Sequence, residues 1–138
     1  MRRFETIDIS GDAGVKAFGR DVRELFVNAA LGMFSLVTDL DSVRESRELK
    51  VSAEGSAREG LLVAWLNELI FFFDTTGFIG KRIVFEELDE THLRAALRGE
   101  DFDPLRHASG LLIKAATYHR LRVEPVEGGW EAEVIFDI

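Results

Sequence analysis

In two stretches of the chain apolar residues return every third or fourth position, the spacing that gathers them on one helix face. Over residues 21–39 these are Val22, Leu25, Phe26, Ala29, Met33, Leu36 and Val37. Asp21, with Glu24 three residues on, gives a capping-box-like start in which carboxylates meet the free N–H groups of the first turn. Over residues 57–74 the stripe is Leu61, Leu62, Trp65, Leu66, Leu69, Ile70 and Phe73, opened by Ser56 and Glu59 in the same manner. Val63, Phe71 and Phe72 fall elsewhere on the wheel. This second helix is therefore expected to be central and covered on two sides, with Phe71, Phe72 and Phe73 in the core. Exposed, the same triplet would form a partner-binding patch.

The remaining segments read as strands. Residues 3–9 and 13–18 flank Ser10-Gly11-Asp12, a turn-forming cluster. Residues 47–53 place Leu49, Val51 and Ala53 on one side. Residues 82–88 and 92–97 follow the second helix, joined by a polar turn, and residues 99–110 form a loop with Pro104. Strands are expected over 112–118, 120–126 and 130–138, the last two joined through Gly128-Gly129, where positive φ carries no steric penalty. Trp130, Ala132, Val134, Phe136 and Ile138 share one side of the final strand; Glu131, Glu133 and Asp137 share the other. Short turns between late strands imply antiparallel pairing. The expectation is one α+β domain over residues 1–138, with two helices packed on mainly antiparallel β-sheet.

At 138 residues, 46% hydrophobic and 30% charged, the chain suits one compact domain with a real core. It has no cysteine, which removes disulfides, thiolate zinc sites and cysteine nucleophiles. The net charge of −8 disfavours strong direct binding of nucleic acid and suits a divalent cation or a basic partner. No apolar run is long enough to span a membrane, and Met1-Arg2-Arg3-Phe4-Glu5 lacks the apolar stretch of a signal peptide, so a cytoplasmic location is expected. Glutamine is absent, asparagine occurs only at Asn28 and Asn67, and arginine outnumbers lysine thirteen to four, a weak thermophile trait.

Candidate chemistry is sparse. His92, His107 and His119 match no zinc spacing; His92 reads as a surface or structural residue, and His107 and His119 are open to either role. Gly11-Asp12-Ala13-Gly14 is a hairpin turn rather than a phosphate loop, because no Gly-Lys-Ser/Thr follows and the next element is a strand. No serine lies in a Gly-x-Ser-x-Gly turn, and no nucleophile–base set is evident, so a metal-dependent hydrolase ranks last among the functions considered. Asp137 sits beside the carboxylate of Ile138. Two such groups are ordinarily just solvated. Only if Asp12 folded close to them would three carboxylates converge and call for a hard cation such as Ca²⁺ or Mg²⁺.

Residues 8–15 (Asp8-Ile9-Ser10-Gly11-Asp12-Ala13-Gly14-Val15), with Phe4-Glu5 before them and Ala17-Phe18-Gly19 after, resemble the opening of the archease family. Asn28-Ala29-Ala30, Met33-Phe34 and Thr38-Asp39 are similar to its first helix. The most distinctive stretch, Leu61-Leu62-Val63-Ala64-Trp65-Leu66-Asn67-Glu68-Leu69, is similar to its second. Gly99-Glu100, Phe102-Asp103-Pro104, His107, then Lys114-Ala115-Ala116-Thr117-Tyr118-His119 and Val134-Ile135-Phe136-Asp137-Ile138 complete the order.

That resemblance implies an accessory protein of the GTP-dependent RtcB-type RNA ligase of tRNA splicing and RNA repair. Such a protein promotes ligase guanylylation and multiple turnover without ligating RNA itself. It also implies a divalent cation, calcium with magnesium or manganese as alternatives, held by Asp12, Asp137 and Ile138. Lys114 and His119 are further functional candidates; the plain reading of Lys114 is a solvated strand lysine. Many archeases carry a histidine shortly before the aspartate where this chain has Ile9-Ser10-Gly11, so any role of that histidine is missing here. The runner-up function is a chaperone-like modulator of a tRNA methyltransferase or another RNA-processing enzyme, and homo-oligomerisation is left open.

Overall fold

The computed structural model describes residues 2–138. Among them the order is β1 (Phe4–Ile9), β2 (Asp12–Gly19), α1 (Val22–Val37), β3 (Arg47–Glu54), α2 (Arg58–Thr76), β4 (Phe78–Leu88), β5 (His92–Asp101), β6 (Ala115–Ala116), β7 (Arg122–Val126) and β8 (Gly129–Asp137), with a 3₁₀ turn at Leu40–Ser42. The strands form two sheets, and the expected architecture of two helices packed on antiparallel β-sheet holds. In the first, β1, β2, β8 and β6 are neighbours in that order, and β7 also pairs with β8. In the second, β5 lies between β3 and β4. Every pairing is antiparallel.

The helices lie between the sheets. α1 packs on β1, β2 and β8 of the first sheet and on β4 of the second; α2 packs on β3, β4 and β5 and also on β6 and β7. Each helix thus buries apolar surface against both layers, and one continuous core results. Trp65 is fully buried at its centre, its ring 5.1 Å from Phe85. Its indole N–H donates to the Phe26 carbonyl at 3.1 Å, tying α2 to α1. The expectation of a central α2 holds, and its cause is this double cover.

α1 begins as its sequence foretells. The Asp21 carboxylate accepts the Glu24 N–H at 2.8 Å, and Glu24 reaches back to the N–H of Arg20 at 3.0 Å. α2 does not. Its N-cap is Ala57, with no side-chain cap, and Ser56 takes no part. Gly55 presses on the first turn instead: a Cβ there would stand 2.6 Å from the Leu61 nitrogen. At the other end Gly77, at φ 83°, takes the left-handed cap conformation and its N–H donates to the Phe73 carbonyl at 2.7 Å.

Three further expectations need correction. β4 starts at Phe78 and not at residue 82, and β5 runs on to Asp101, because Phe78, Ile79 and Gly80 pair with the end of β5. Of residues 112–118 only Ala115–Ala116 form a strand; Leu111 and Gly110 instead hang on the carbonyls of Leu36 and Val37 at the end of α1. Phe71 is not in the core: it is 56% exposed, while Phe72 and Phe73 are partly buried. β8 is central to the first sheet and covered on both faces: Glu133 and Ile135 are buried as well as Ala132, Val134 and Phe136.

Candidate functional site

The hairpin at the head of the chain and the strand at its tail are neighbours. Ser10-Gly11 forms a two-residue turn with Gly11 at φ 80°, and Ile9 pairs with Asp12. β2 then runs beside β8 with Ala13 opposite Phe136 and Gly14 opposite Ile135. Continued by one residue, this register sets Asp12 opposite Asp137. Opposed residues share a sheet face with Cα atoms about 5 Å apart, so the register places Asp12 and Asp137 on one face of the sheet. On the far side of β8, Ala115 pairs with Asp137, and the Lys114 N–H donates to the Asp137 carbonyl at 2.8 Å. The same register sets Lys114 opposite Ile138. Three of the sequence-predicted residues and Lys114 therefore meet at one end of the first sheet.

Local packing explains why this end keeps its shape. A Cβ on Gly14 would lie 2.7 Å from Ile135 Cδ1 and 3.0 Å from the Val134 carbonyl oxygen, so only glycine lets β2 and β8 close up beside the aspartates. β6 is clamped by Asn67 of α2, whose side chain accepts the Ala116 N–H at 2.8 Å and donates to the Ala116 carbonyl at 3.3 Å. This clamp escaped the sequence reading. The signal that could have found it is an asparagine inside an otherwise apolar helix, one of only two in the chain.

Electrostatically the site is uncompensated. Asp12 is half-buried and Asp137 exposed, and neither carboxylate has an ion-pair partner among the described residues. Lys114 is exposed and unpaired likewise. Among the described residues no three His, Asp or Glu side chains gather to hold a metal. The candidate set has two side chains and a third oxygen group on the main chain at Ile138. Its donors are all oxygen, two of them carboxylates, which suits a hard cation and not zinc or copper.

The histidines divide. His119 lies in the turn after β6, exposed, and the register does not bring it into the Asp12–Asp137 row. His92 is on the surface, its Nδ1 2.8 Å from the Thr91 hydroxyl. His107 is buried, and its Nδ1 accepts the Asp103 N–H at 2.8 Å. Its Nε2 faces Glu100 at 3.5 Å, beyond a good hydrogen bond. Glu100 is itself buried and also receives the Arg44 N–H and the Arg106 guanidinium. These residues fasten the loop after β5, and that is a structural role.

Known proteins share this sequence pattern and fold. Residues 4–138 match the model of the Archease protein family (MTH1598/TM1083). The chain is 35% identical over 138 residues to the protein archease of Methanopyrus kandleri, covering 98% of this chain and 99% of that one. It is 34% identical over 141 residues to that of Methanosarcina mazei, covering 99% and 97%. In three dimensions it resembles the solution structure of Methanobacterium thermoautotrophicum protein 1598, with a TM-score of 0.79, 35% identity and full coverage of both chains. The crystal structure of a Thermotoga maritima protein, described as an archease and possible chaperone, has the same fold at a TM-score of 0.67 and 20% identity over all of this chain and 98% of that one. The family-model match over nearly the whole chain and these identities place the chain in the archease family.

Proposed function

We propose that this chain is a non-catalytic activator of a GTP-dependent RtcB-type RNA ligase, and that Asp12, Asp137 and Ile138 hold a divalent cation, calcium first, with magnesium or manganese next. Membership of the archease family supports the accessory role. The observation that carries the site is the register that sets Asp12 opposite Asp137, with neither carboxylate in an ion pair among the described residues. A bound divalent ion would supply positive charge that can be shared with oxygen ligands from a partner.

Each residue has a separable task. Asp12 and Asp137 provide anionic oxygens on one face. Gly14 and the Asn67 clamp hold their strands in register. Lys114, exposed at the edge of the site, is placed to meet an anionic group of the partner or its nucleotide. The net charge of −8 steers the protein toward a cationic surface, and a ligase that binds RNA and GTP presents one.

A guanylylation time course with a cognate ligase and GTP tests the reading. Adding the parent protein should speed covalent guanylylation, while folded Asp12→Asn and Asp137→Asn variants should not. Equal stimulation by parent and variants would overturn it. A second reading, a chaperone-like modulator of a tRNA methyltransferase or other RNA-processing enzyme, draws on exposed Phe71, Leu105, Leu112 and Tyr118. It predicts stimulation that is indifferent to the aspartates and sensitive to Leu112→Ser.

A further inference from the structure

At a different place from the aspartates, a groove of about 690 Å³ opens between the start of β1, α1 and the edge of β4. Arg2, Arg3, Arg20 and Arg23 line it, against Asp21 and Glu24, so four cations face two carboxylates in a chain whose net charge is −8. Arg20 is paired with Glu24 at 3.0 Å and Arg2 with Glu5. Arg3 and Arg23 have no carboxylate partner among the described residues. Arg3 stands over the Phe4 ring at 5.8 Å, and Arg23 donates to the Phe85 carbonyl. The N-terminus of α1 is already satisfied by Asp21 and Glu24, so the positive character here belongs to the guanidinium groups.

The groove is also apolar. Val27, Leu31, Ile83 and Val84 contribute to its lining, and Val84 is 57% exposed on a strand whose other outward residues include Arg82 and Glu86. Both strands at its margins are sheet edges: β1 ends the first sheet and β4 the second. Their outer backbone groups have no strand partner, so an extended chain finds hydrogen-bonding groups as well as apolar surface.

We propose that this groove docks an extended segment of a partner protein in which acidic and aliphatic residues are interspersed. The unpaired guanidinium groups match carboxylates in a planar, two-pronged fashion, and the exposed valine matches an aliphatic side chain. RNA fits less well. The one aromatic in the lining, Phe85, is buried and offers no stacking surface, and the overall negative charge repels a polyanion. A second copy of the chain fits less well for the same electrostatic reason. This docking role is independent of the ion site and does not rest on it.

The test is selection of a phage-displayed peptide library on the full chain, followed by fluorescence anisotropy with the strongest peptide and with a 12-nucleotide single-stranded RNA. Selected peptides should be enriched in Asp or Glu interspersed with Leu, Ile or Val. The double variant Arg3→Glu/Arg23→Gln, which keeps a donor toward the Phe85 carbonyl, should weaken peptide binding at least tenfold. Val84→Glu, an exposed position whose change leaves the core intact, should do the same. Absence of that enrichment, equal affinity of parent and both variants, tighter binding of the RNA than of the peptide, or a dimer of the parent that Val84→Glu dissolves would each overturn the proposal.

Discussion

The outer face of the second sheet and the aspartate end of the first treat charge in opposite ways. On the outer face of the second sheet almost every charged side chain has a partner: Arg82 with Glu45, Arg98 with Glu48, Lys50 with Glu86, and Arg94 with Glu86 and Glu87. At the aspartate end of the first sheet the register sets Asp12 opposite Asp137, and neither carboxylate has an ion-pair partner among the described residues. Antiparallel pairing allowed opposite charges to sit across from one another in both places. The second sheet uses that opportunity, as does the β7–β8 pair of the first, where Arg122 meets Glu131 and Glu133, but the aspartate end does not. Cross-strand like charges destabilise a bare sheet, so their retention at one end points outward, to a cation or a partner that completes them.

The sharpest way to break this contrast is to add the missing charge. With calcium at about a hundred times its dissociation constant, a one-site protein gains about 2.7 kcal/mol, which for a chain of this size raises the melting temperature by roughly 10 °C. Asp12→Asn or Asp137→Asn should abolish that rise and weaken calcium at least about 100-fold, since even residues that only orient metal ligands are worth 10–100-fold. Without calcium, the same variants should melt at or slightly above the parent's temperature, because a repulsion has been removed. Calorimetric titration and thermal melts read both effects. A parent whose melting ignores calcium, magnesium and manganese would remove the ion from the account.

Asn67→Ala comes next. It leaves the Ala116 N–H and carbonyl without their side-chain partner in a half-buried setting, which costs about 1–3 kcal/mol. The loss should appear in denaturant unfolding, and hydrogen exchange should quicken at Ala116 and Lys114 before it does in the second sheet. Loosening β6 should also blunt the calcium-induced rise, which a variant on the outer face of the second sheet would leave intact.

Acid separates the sheets in a third way. Glu86 is held below the ordinary carboxylate range chiefly by the hydrogen bond from Lys50, and Asp89 by the backbone N–H of Thr91. At the start of α1, Glu24 is lowered by the Arg20 guanidinium. A depressed native pKa means that the unfolded chain binds more protons than the native one in the acid range. Stability from these groups is therefore fully present above the unfolded carboxylate pKa, about 4.5 for glutamate, and is lost as pH falls through the lower native values. Melting temperature should drop below that pH, and Glu86→Gln should make the drop shallower. An unchanged slope would show that the Lys50 pairing has no thermodynamic weight.

How much of this was legible beforehand depends on how local the cause is. The α1 cap is a matter of Asp21 and Glu24, three residues apart, and the sequence displays it. The Ser10-Gly11 turn is equally local. The convergence of Asp12 with Asp137 depends on a β2–β8 pairing across more than a hundred residues. No periodicity carries that information; it entered only through resemblance to a family. The exposure of Phe71 and the division into two sheets have the same origin. Both follow from α2 lying between layers, so that its apolar girth is mostly used, and the side left over at Phe71 is fixed by which strands arrive where. Asn67 could have been noticed, because a polar amide on an apolar helix requires a partner, but only the fold names Ala116.

The smallest expected effect is the control that gives the comparison its meaning. Arg98 and Glu48 face each other across β5 and β3 at 3.4 Å, and their side chains are about half exposed (46% and 49%). Water screens such a pair, and ordering two long side chains offsets most of the attraction, so the coupling in a double-mutant cycle with Arg98→Gln and Glu48→Gln should be about 0.5 kcal/mol or less. It should shrink further in 1 M salt, where the screening length is about 3 Å. Arg98 also donates to the Glu45 carbonyl at 3.1 Å, so the single arginine variant should lose slightly more than the glutamate variant. Neither should alter the calcium-induced rise in melting temperature or the stimulation of ligase guanylylation. A coupling several times larger would mean that the paired face is a principal source of stability, and the contrast between the sheets would then be one of strength and no longer one of purpose.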